Sequence, residues 1–264
     1  MNGPTPYSRL LASMEASAGE ARVDVPEDWL QGRTLFGGLQ AAIALRAMRT
    51  LVPESPLRSL QTTFIGPVPG GPVQAKARVL RSGKNTTHVE GRIVDGDATL
   101  AMVVAIFGVG RESAVRVLPR QPHVAPGKAF EMRYVEGQAP AFTQHFKARW
   151  VVGGLPYTEA TQQDNVIELG MRDEGSATEY HVVAMADFIP PIALSFLKER
   201  TAAASLNWML ELVSGDIRSL PLDGWRLDAH MPAASSGYTH QSLELWGPDG
   251  SLAALGRQTM VVFG

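Results

Sequence analysis

The stretch that decides the fold is SGKNTTHVEGRIVDG, from Ser82 to Gly96, because its pattern returns in SSGYTHQSLELWGPDG, from Ser235 to Gly250. In both stretches a Ser-Gly pair precedes an Asp-Gly pair at the same spacing, and a Thr-His pair lies between them. Asp-Gly between two alternating segments is a strong signal for a β-hairpin. A hairpin signal that occurs twice at one spacing predicts an internal repeat.

The first repeat is predicted to be one helix followed by an antiparallel meander. Residues 34–51 are rich in Ala, Leu and Met and have almost no polar face, which indicates a buried helix. The segments that follow have the alternation or the apolar content of strands. They are residues 59–68, 72–83, 86–94 and 98–108.

The second repeat has the same order of patterns. Residues 186–199 predict a short helix opened by prolines, which suit the first turn of a helix. Strands are predicted after it at 204–213, 224–235, 238–246 and 251–264, and before it at 141–151 and 176–188. The chain thus predicts a tandem duplication of one α+β unit.

The two repeats end alike, at Phe107-Gly108 and at Phe263-Gly264, and alignment from these ends puts Gln258 in the place of Met102. His88 and His240 also occupy corresponding places, where a general base is one interpretation and a pair of strand-surface residues is the simpler one. Between the repeats, residues 113–132 are rich in proline, as linkers are. A boundary near Gly127 divides the chain into domains 1–126 and 127–264.

Composition excludes several classes of function. The chain has 264 residues, a net charge of -2 and no cysteine, so disulfides, thiolate metal sites and cysteine nucleophiles are excluded. A basic surface that would bind nucleic acid is not expected. Neither a signal peptide nor a long uninterrupted apolar run is recognised, so no membrane span and a cytoplasmic location are expected. No histidine spacing suggests a metal site.

Two polar residues stand in apolar surroundings. Asp187 lies in VVAMADFIPPIAL, where a carboxylate is costly unless it has partners. Its simplest alternative role is the N-cap of the proline-opened helix. Gln258 lies on a predicted buried strand, and its alternative is a surface amide.

The chain resembles the acyl-CoA thioesterase II family of TesB-like enzymes. The resemblance is carried by LFGGLQAAIALRA at 35–47, the block 57–108, ADFIPPIAL at 186–194, ASLNWMLEL at 204–212 and the terminal Gln-x-x-x-x-x-Gly from Gln258. It implies an α+β double hotdog, in which two tandem units of a helix wrapped by an antiparallel sheet form one continuous sheet.

The resemblance also implies the site. The catalytic set of the family falls on Asp187, Gln258 and Ser205, without metal or cofactor, and Thr201 remains a rival to Ser205. The carboxylate is expected only in the second repeat, which leaves the first with a degenerate site. Residues expected to contact the substrate are Gly37, Gly38, Arg81, Lys84 and Asn207, and Arg58 is a further candidate for the ADP end of CoA.

The function implied is hydrolysis of an acyl-CoA thioester to a free acid and CoA, by a homodimer or higher homo-oligomer. One alternative is a hotdog hydratase or dehydratase, which would pair a histidine with the carboxylate, although no histidine neighbours Asp187. The other is a non-catalytic protein that binds acyl-CoA.

Overall fold

The computed structural model describes residues 3–125, 128–213 and 217–263. They form two compact units. The first comprises the residues up to Val117 with Tyr134–His145 and Arg172–Glu174, and the second comprises the remainder. The predicted boundary near Gly127 lies outside the described residues, so the division into 1–126 and 127–264 stays a prediction.

The first unit contains two α-helices and eight strands. The helices are α1 (Tyr7–Ser13) and α2 (Gly37–Arg49). The strands are β1 (Glu15–Ser17), β2 (Glu20–Val25), β3 (Leu30–Gln31), β4 (Thr34–Leu35), β5 (Leu57–Phe64), β6 (Gly71–Ser82), β7 (Thr86–Asp95) and β8 (Ala98–Gly108). Strands β3 and β4 pair with each other, and the other six follow the order β1-β2-β6-β7-β8-β5.

Helix α2 is the core of this unit. Ala, Leu, Ile and Met bury almost its whole surface, as expected for a helix without a polar face. It packs on the strands of its own unit, mainly β6 and β7. The buried helix, the four strands after it and the hairpin at Asp95-Gly96 were all predicted correctly.

The second unit contains one α-helix and seven strands. The helix is α3 (Glu179–Ala186). The strands are β9 (Phe130–Met132), β10 (Phe146–Val152), β11 (Asp164–Met171), β12 (Ala203–Leu212), β13 (Trp225–Ser235), β14 (Tyr238–Trp246) and β15 (Leu252–Val262). Their order is β9-β10-β11-β13-β14-β15-β12.

The strand order confirms the duplication. The same topology, antiparallel throughout, occurs in the series β2-β6-β7-β8-β5 of the first unit and β11-β13-β14-β15-β12 of the second. In each unit the helix follows the strand at one end of the series in the chain and precedes the strand at the other end. The registers agree as well, since His88 pairs with Ile106 where His240 pairs with Thr259. The two histidines are therefore equivalent.

The helix of the second unit was placed wrongly from the sequence. Residues 176–188, predicted as a strand, contain the helix α3 instead, because Thr178 and His181 make a capping box and the following apolar run is buried on all sides. Residues 186–199, predicted as a helix, contain only the 3₁₀ helix Ile192–Phe196. Periodicity cannot distinguish a short buried helix from a buried strand.

Two further details complete the comparison with the sequence. Strand β10 confirms the strand predicted at 141–151, although residues 141–145 form a 3₁₀ helix instead. Gly264, which ends the repeated Phe-Gly pair, lies outside the described residues. Within the described part of the chain, none of the helices has the length and apolar character needed to cross a bilayer.

Candidate active site

Asp187 lies at the C-terminal end of α3, with only 9 % of its surface exposed. It is the C-cap residue of that helix, so the N-cap role considered from the sequence is wrong. The end of a helix at which carbonyl groups point outward does not favour a carboxylate. Asp187 therefore depends on hydrogen-bond donors from elsewhere in the unit.

Gln258 supplies a donor. Its Nε2 donates to Asp187 Oδ1 at 2.8 Å and to Ser205 Oγ at 3.3 Å. A side-chain amide carries two N–H hydrogens, so each of these acceptors can take one. The structure thus brings together the three residues predicted to be catalytic, which are separated by up to 71 positions in the chain.

A second glutamine, Gln241, extends the cluster and was not found from the sequence. Its Nε2 donates to Gln258 Oε1 at 3.3 Å, and its Oε1 accepts the backbone N–H of Ile192 at 3.1 Å. Gln241 and Gln258 are 1 % and 2 % exposed. The signal that could have revealed Gln241 is its place in the quoted repeat, where Thr-His is followed by Val89 in one copy and by Gln241 in the other.

Strand pairing explains why these side chains meet. Gln258 on β15 lies directly opposite Gln241 on β14 and opposite Trp208 on β12. Residues directly opposite on neighbouring strands project to the same face, about 5 Å apart. Ser205 lies on the same side of β12, where it pairs with Met260, two positions along β15 from Gln258.

The first unit allows a residue-by-residue comparison, because corresponding strands share an irregularity. In β5 the register shifts directly after Leu57, which pairs with Phe107 of β8. In β12 it shifts directly after Ser205, which pairs with Met260 of β15. When the two irregularities are aligned, Leu57 is the counterpart of Ser205.

The same alignment makes Ala105 the counterpart of Gln258 and Val89 that of Gln241, since Val89 pairs with Ala105 as Gln241 pairs with Gln258. The alignment from the chain ends, which put Gln258 in the place of Met102, is therefore wrong by three residues. Met102 alternates with the buried residues of β8 and projects to the other face. At all three positions the first unit has a buried apolar residue.

The other residues discussed for the catalytic set lie outside this cluster. Asn207 is exposed and pairs with Thr259, which places it on the face opposite Gln258. Thr201 precedes β12, and its carbonyl oxygen accepts a hydrogen bond from the Tyr157 hydroxyl. Ser205 is the candidate whose hydroxyl contacts Gln258.

The remaining residues predicted to bind substrate all belong to the first unit. Gly37 and Gly38 are buried and open α2. Arg81 is the residue before the last one of β6 and Lys84 lies in the turn that follows, and both are exposed. Arg58 uses its Nε to donate to the Gly108 carbonyl at 2.8 Å. Their contact with a substrate stays a prediction.

Chemically, the cluster presents a carboxylate, a hydroxyl and an amide that connects them. A carboxylate can take a proton from water, and a hydroxyl that already accepts one hydrogen bond can donate its own hydrogen. Both N–H groups of Gln258 are used within the cluster. Gln258 is therefore placed to hold the carboxylate and the hydroxyl in position.

Comparison with known proteins extends over almost the whole chain. The model of the acyl-CoA thioesterase N-terminal domain matches residues 25–108, and that of the C-terminal domain matches residues 119–262. No curated protein sequence matches the chain.

Solved structures share the fold. A hot dog fold protein from Alicyclobacillus acidocaldarius is 19% identical with a TM-score of 0.85, and the alignment covers 97% of each chain. The TesB protein of Mycobacterium avium subspecies paratuberculosis is 17% identical with a TM-score of 0.77, over 97% of this chain and 99% of that one. The acyl-CoA thioesterase II TesB2 of Mycobacterium marinum is 16% identical with a TM-score of 0.69, over 96% of this chain and 95% of that one. These likenesses confirm the predicted α+β double hotdog.

Proposed function

Because the chain belongs to the acyl-CoA thioesterase family and is thus a thioester hydrolase, we propose that Asp187, Gln258 and Ser205 orient the water molecule that attacks the acyl carbonyl. The observation that carries this proposal is that Gln258 Nε2 donates one N–H to a buried carboxylate and the other to a hydroxyl. Acyl-CoA is the proposed substrate, and the products are a free acid and CoA.

The geometry of an amide supports a water site between the two oxygens. Its N–H bonds diverge by about 120°, so acceptors at 2.8 Å and 3.3 Å from Nε2 lie about 5 Å apart. One water molecule can bridge oxygens at about that separation with two ordinary hydrogen bonds. In this arrangement the water accepts from Ser205 and donates to Asp187.

The reaction then follows with balanced protons. Asp187 takes one proton from the water molecule while the water oxygen bonds to the acyl carbon. The water uses for this bond the lone pair that does not accept the hydrogen bond from Ser205. The tetrahedral intermediate collapses with loss of the CoA thiolate, which takes up the proton held by Asp187. Gln258 keeps the carboxylate facing the water throughout.

A hydratase or dehydratase is disfavoured by the place of the nearest histidine in the chain. His181 lies in the first turn of α3, where its Nδ1 contacts Thr178 Oγ1 at 2.8 Å as part of the capping box. Asp187 lies at the other end of that helix. Six positions of helix put the two residues about 9 Å apart along the helix axis, which disfavours His181 as the acid or base partner of that carboxylate.

Release of CoA thiol from a panel of acyl-CoAs of different chain lengths tests the proposal. We expect Asp187→Asn to keep its fold and to lower kcat by about 10²- to 10⁴-fold, the usual contribution of a positioned acid or base. Asp164→Asn is the matched control, since it makes the same substitution at an exposed carboxylate of the same unit and should leave kcat unchanged.

Two outcomes would contradict the proposal in different ways. If Asp187→Asn hydrolyses as fast as wild type, Asp187 has no role in the reaction. If wild type releases CoA from none of the acyl-CoAs but binds them, the chain is a binding protein.

A further inference from the structure

Gln258 can serve the reaction only in one of its two amide orientations. Rotation by 180° about the last side-chain bond exchanges Oε1 and Nε2 with little change in shape. In the wrong orientation an oxygen would face the Asp187 carboxylate at the position where Nε2 now donates at 2.8 Å. Something in the protein must therefore select the orientation.

We propose that Gln241 is the positioning residue that selects it. The proposal rests on the proposed function of Asp187, Gln258 and Ser205, and it adds a residue that acts on Gln258 rather than on the substrate. Gln241 is almost fully buried, and its side chain contacts Gln258 on one side and the backbone at Ile192 on the other.

The direction of the hydrogen bonds follows from the backbone. The N–H of Ile192 can only donate, so it requires the oxygen of the Gln241 amide. The nitrogen of that amide then faces Gln258, and it requires an oxygen there. The nitrogen of Gln258 is left facing Asp187 and Ser205.

Each reversal in this series would bring like groups together. If Gln258 alone rotated, its Nε2 would face the Nε2 of Gln241, and its Oε1 would face the Asp187 carboxylate. The three hydrogen bonds of the Gln258 amide would be lost and two repulsions gained, in a buried place where water cannot compensate. The Ile192 N–H at one end of the series and the Asp187 carboxylate at the other thus favour the same orientation of the two amides, and Gln241 connects them.

The duplication supports a role in the site rather than in folding of the unit. The first unit has the same strands and the same register, and it has Val89 and Ala105 at the counterparts of Gln241 and Gln258. Both are fully buried. The sheet therefore forms with apolar residues at these two positions, and the amide pair occurs where the carboxylate is.

Two substitutions distinguish the effects of the two hydrogen bonds that the Gln241 side chain makes, with Ile192 and with Gln258. Gln241→Met has a similar volume and removes both hydrogen bonds, and we expect it to lower kcat about tenfold with little change in KM. Gln241→Glu keeps an acceptor for Ile192 but presents a carboxylate to Gln258 Oε1. It should favour the reversed amide and lower kcat about 100-fold at neutral pH.

The pH dependence of Gln241→Glu provides a readout that a purely structural role would not change. A protonated carboxyl at position 241 can accept from Ile192 and donate its O–H to Gln258 Oε1, which restores the original directions. The kcat of this variant relative to wild type should therefore rise from about pH 8 to about pH 5, because burial raises the pKa of a carboxyl above its usual ~4.3. The kcat of Gln241→Met relative to wild type should not change with pH over the same range.

Leu243→Met is the matched control. It places the same side chain two positions along β14 on the same buried face, so it reports the effect of repacking the strand. We expect its kcat to equal that of wild type. A second measurement does not require activity: in ¹⁵N-labelled protein the side-chain amide signals of Gln258 should shift in Gln241→Met and not in Leu243→Met.

The proposal is overturned if Gln241→Met keeps the wild-type kcat and the wild-type amide signals of Gln258, or if the Gln241→Glu ratio does not change with pH. A wild-type protein that hydrolyses none of the acyl-CoAs would instead overturn the proposed function. In that case the amide signals still decide whether Gln241 orients Gln258.

Discussion

The hydrogen bond between Gln258 and Asp187 should be visible in stability as well as in catalysis, and a double-mutant cycle isolates it. The cycle combines Gln258→Met with Asp187→Asn. In the wild-type background, Gln258→Met removes the 2.8 Å bond to the buried Asp187, which the proposed mechanism uses as a charged carboxylate. Such bonds contribute about 1.5–3 kcal/mol, and their loss leaves the carboxylate without that donor.

The same substitution should cost less when Asp187 is already neutral. In the Asp187→Asn background Gln258→Met removes a bond between neutral groups, which contributes about 0.5–1.5 kcal/mol. The expected coupling energy is the difference, roughly 1–1.5 kcal/mol, in the range found for residues that share a hydrogen bond. Asp164→Asn with Gln258→Met serves as the control cycle, which should be additive to within about 0.5 kcal/mol.

Urea unfolding at neutral pH, followed by tryptophan emission, measures the four free energies. Tryptophan emission suits this purpose because Trp150, Trp208, Trp225 and Trp246 all lie in the second unit, which contains both substituted residues. Equal m values across the four proteins would show that the same unit unfolds in each. If the two single effects add to within about 0.5 kcal/mol, the carboxylate does not depend on Gln258 and the reasoning about the cluster fails.

Two further outcomes are expected from the structure. Burial lowers the pKa of His145 more than the nearby charge of Asp28 raises it, so the unfolded state binds the proton better than the folded state. The stability of the first unit should therefore fall as the pH drops below about 6.5. Emission of Trp29, which stacks on His145 at 3.9 Å between ring centres, can follow unfolding. The variant His145→Gln should lose this pH dependence of stability. If its stability changes with pH as that of wild type does, His145 is not the group responsible. Gly153→Ala should destabilise the protein by about 1–3 kcal/mol more than Gly32→Ala. Both glycines have positive φ, but only at Gly153 would the new Cβ lie 2.6 Å from a backbone oxygen, that of Asp164. Thermal melting curves of the two variants provide the comparison, and equal losses would show that the loop adjusts.

The meeting of the predicted side chains was expected from the sequence because the features that mark two of them are local, while their catalytic role stays a prediction. Asp187 and Gln258 are polar residues in apolar segments, and such residues need partners wherever the chain places them. The family resemblance then assigned Ser205 to the same site. Gln241 was missed because a glutamine in an alternating strand has no local feature that separates a buried face from an exposed one.

The errors have a common physical origin. The Ser-Gly pairs that mark the repeat are displaced by two residues, since the register pairs Ser82 with Thr87 in one unit and Ala234 with Thr239 in the other. The match between Phe107 and Phe263 is displaced by three. A residue type can recur by chance near an equivalent position, whereas hydrogen-bond register admits one alignment.

The sequence by itself determined the duplication, the α+β class and the strands after each helix, because hydrophobic alternation and turn residues act over a few neighbouring positions. Only the tertiary structure decided that α3 is a helix with Asp187 as its C-cap, that Gln241 and Gln258 are directly opposed, and that Val89 and Ala105 replace them in the first unit. These facts depend on which strands pair and in what register, and register joins residues that are distant in the chain.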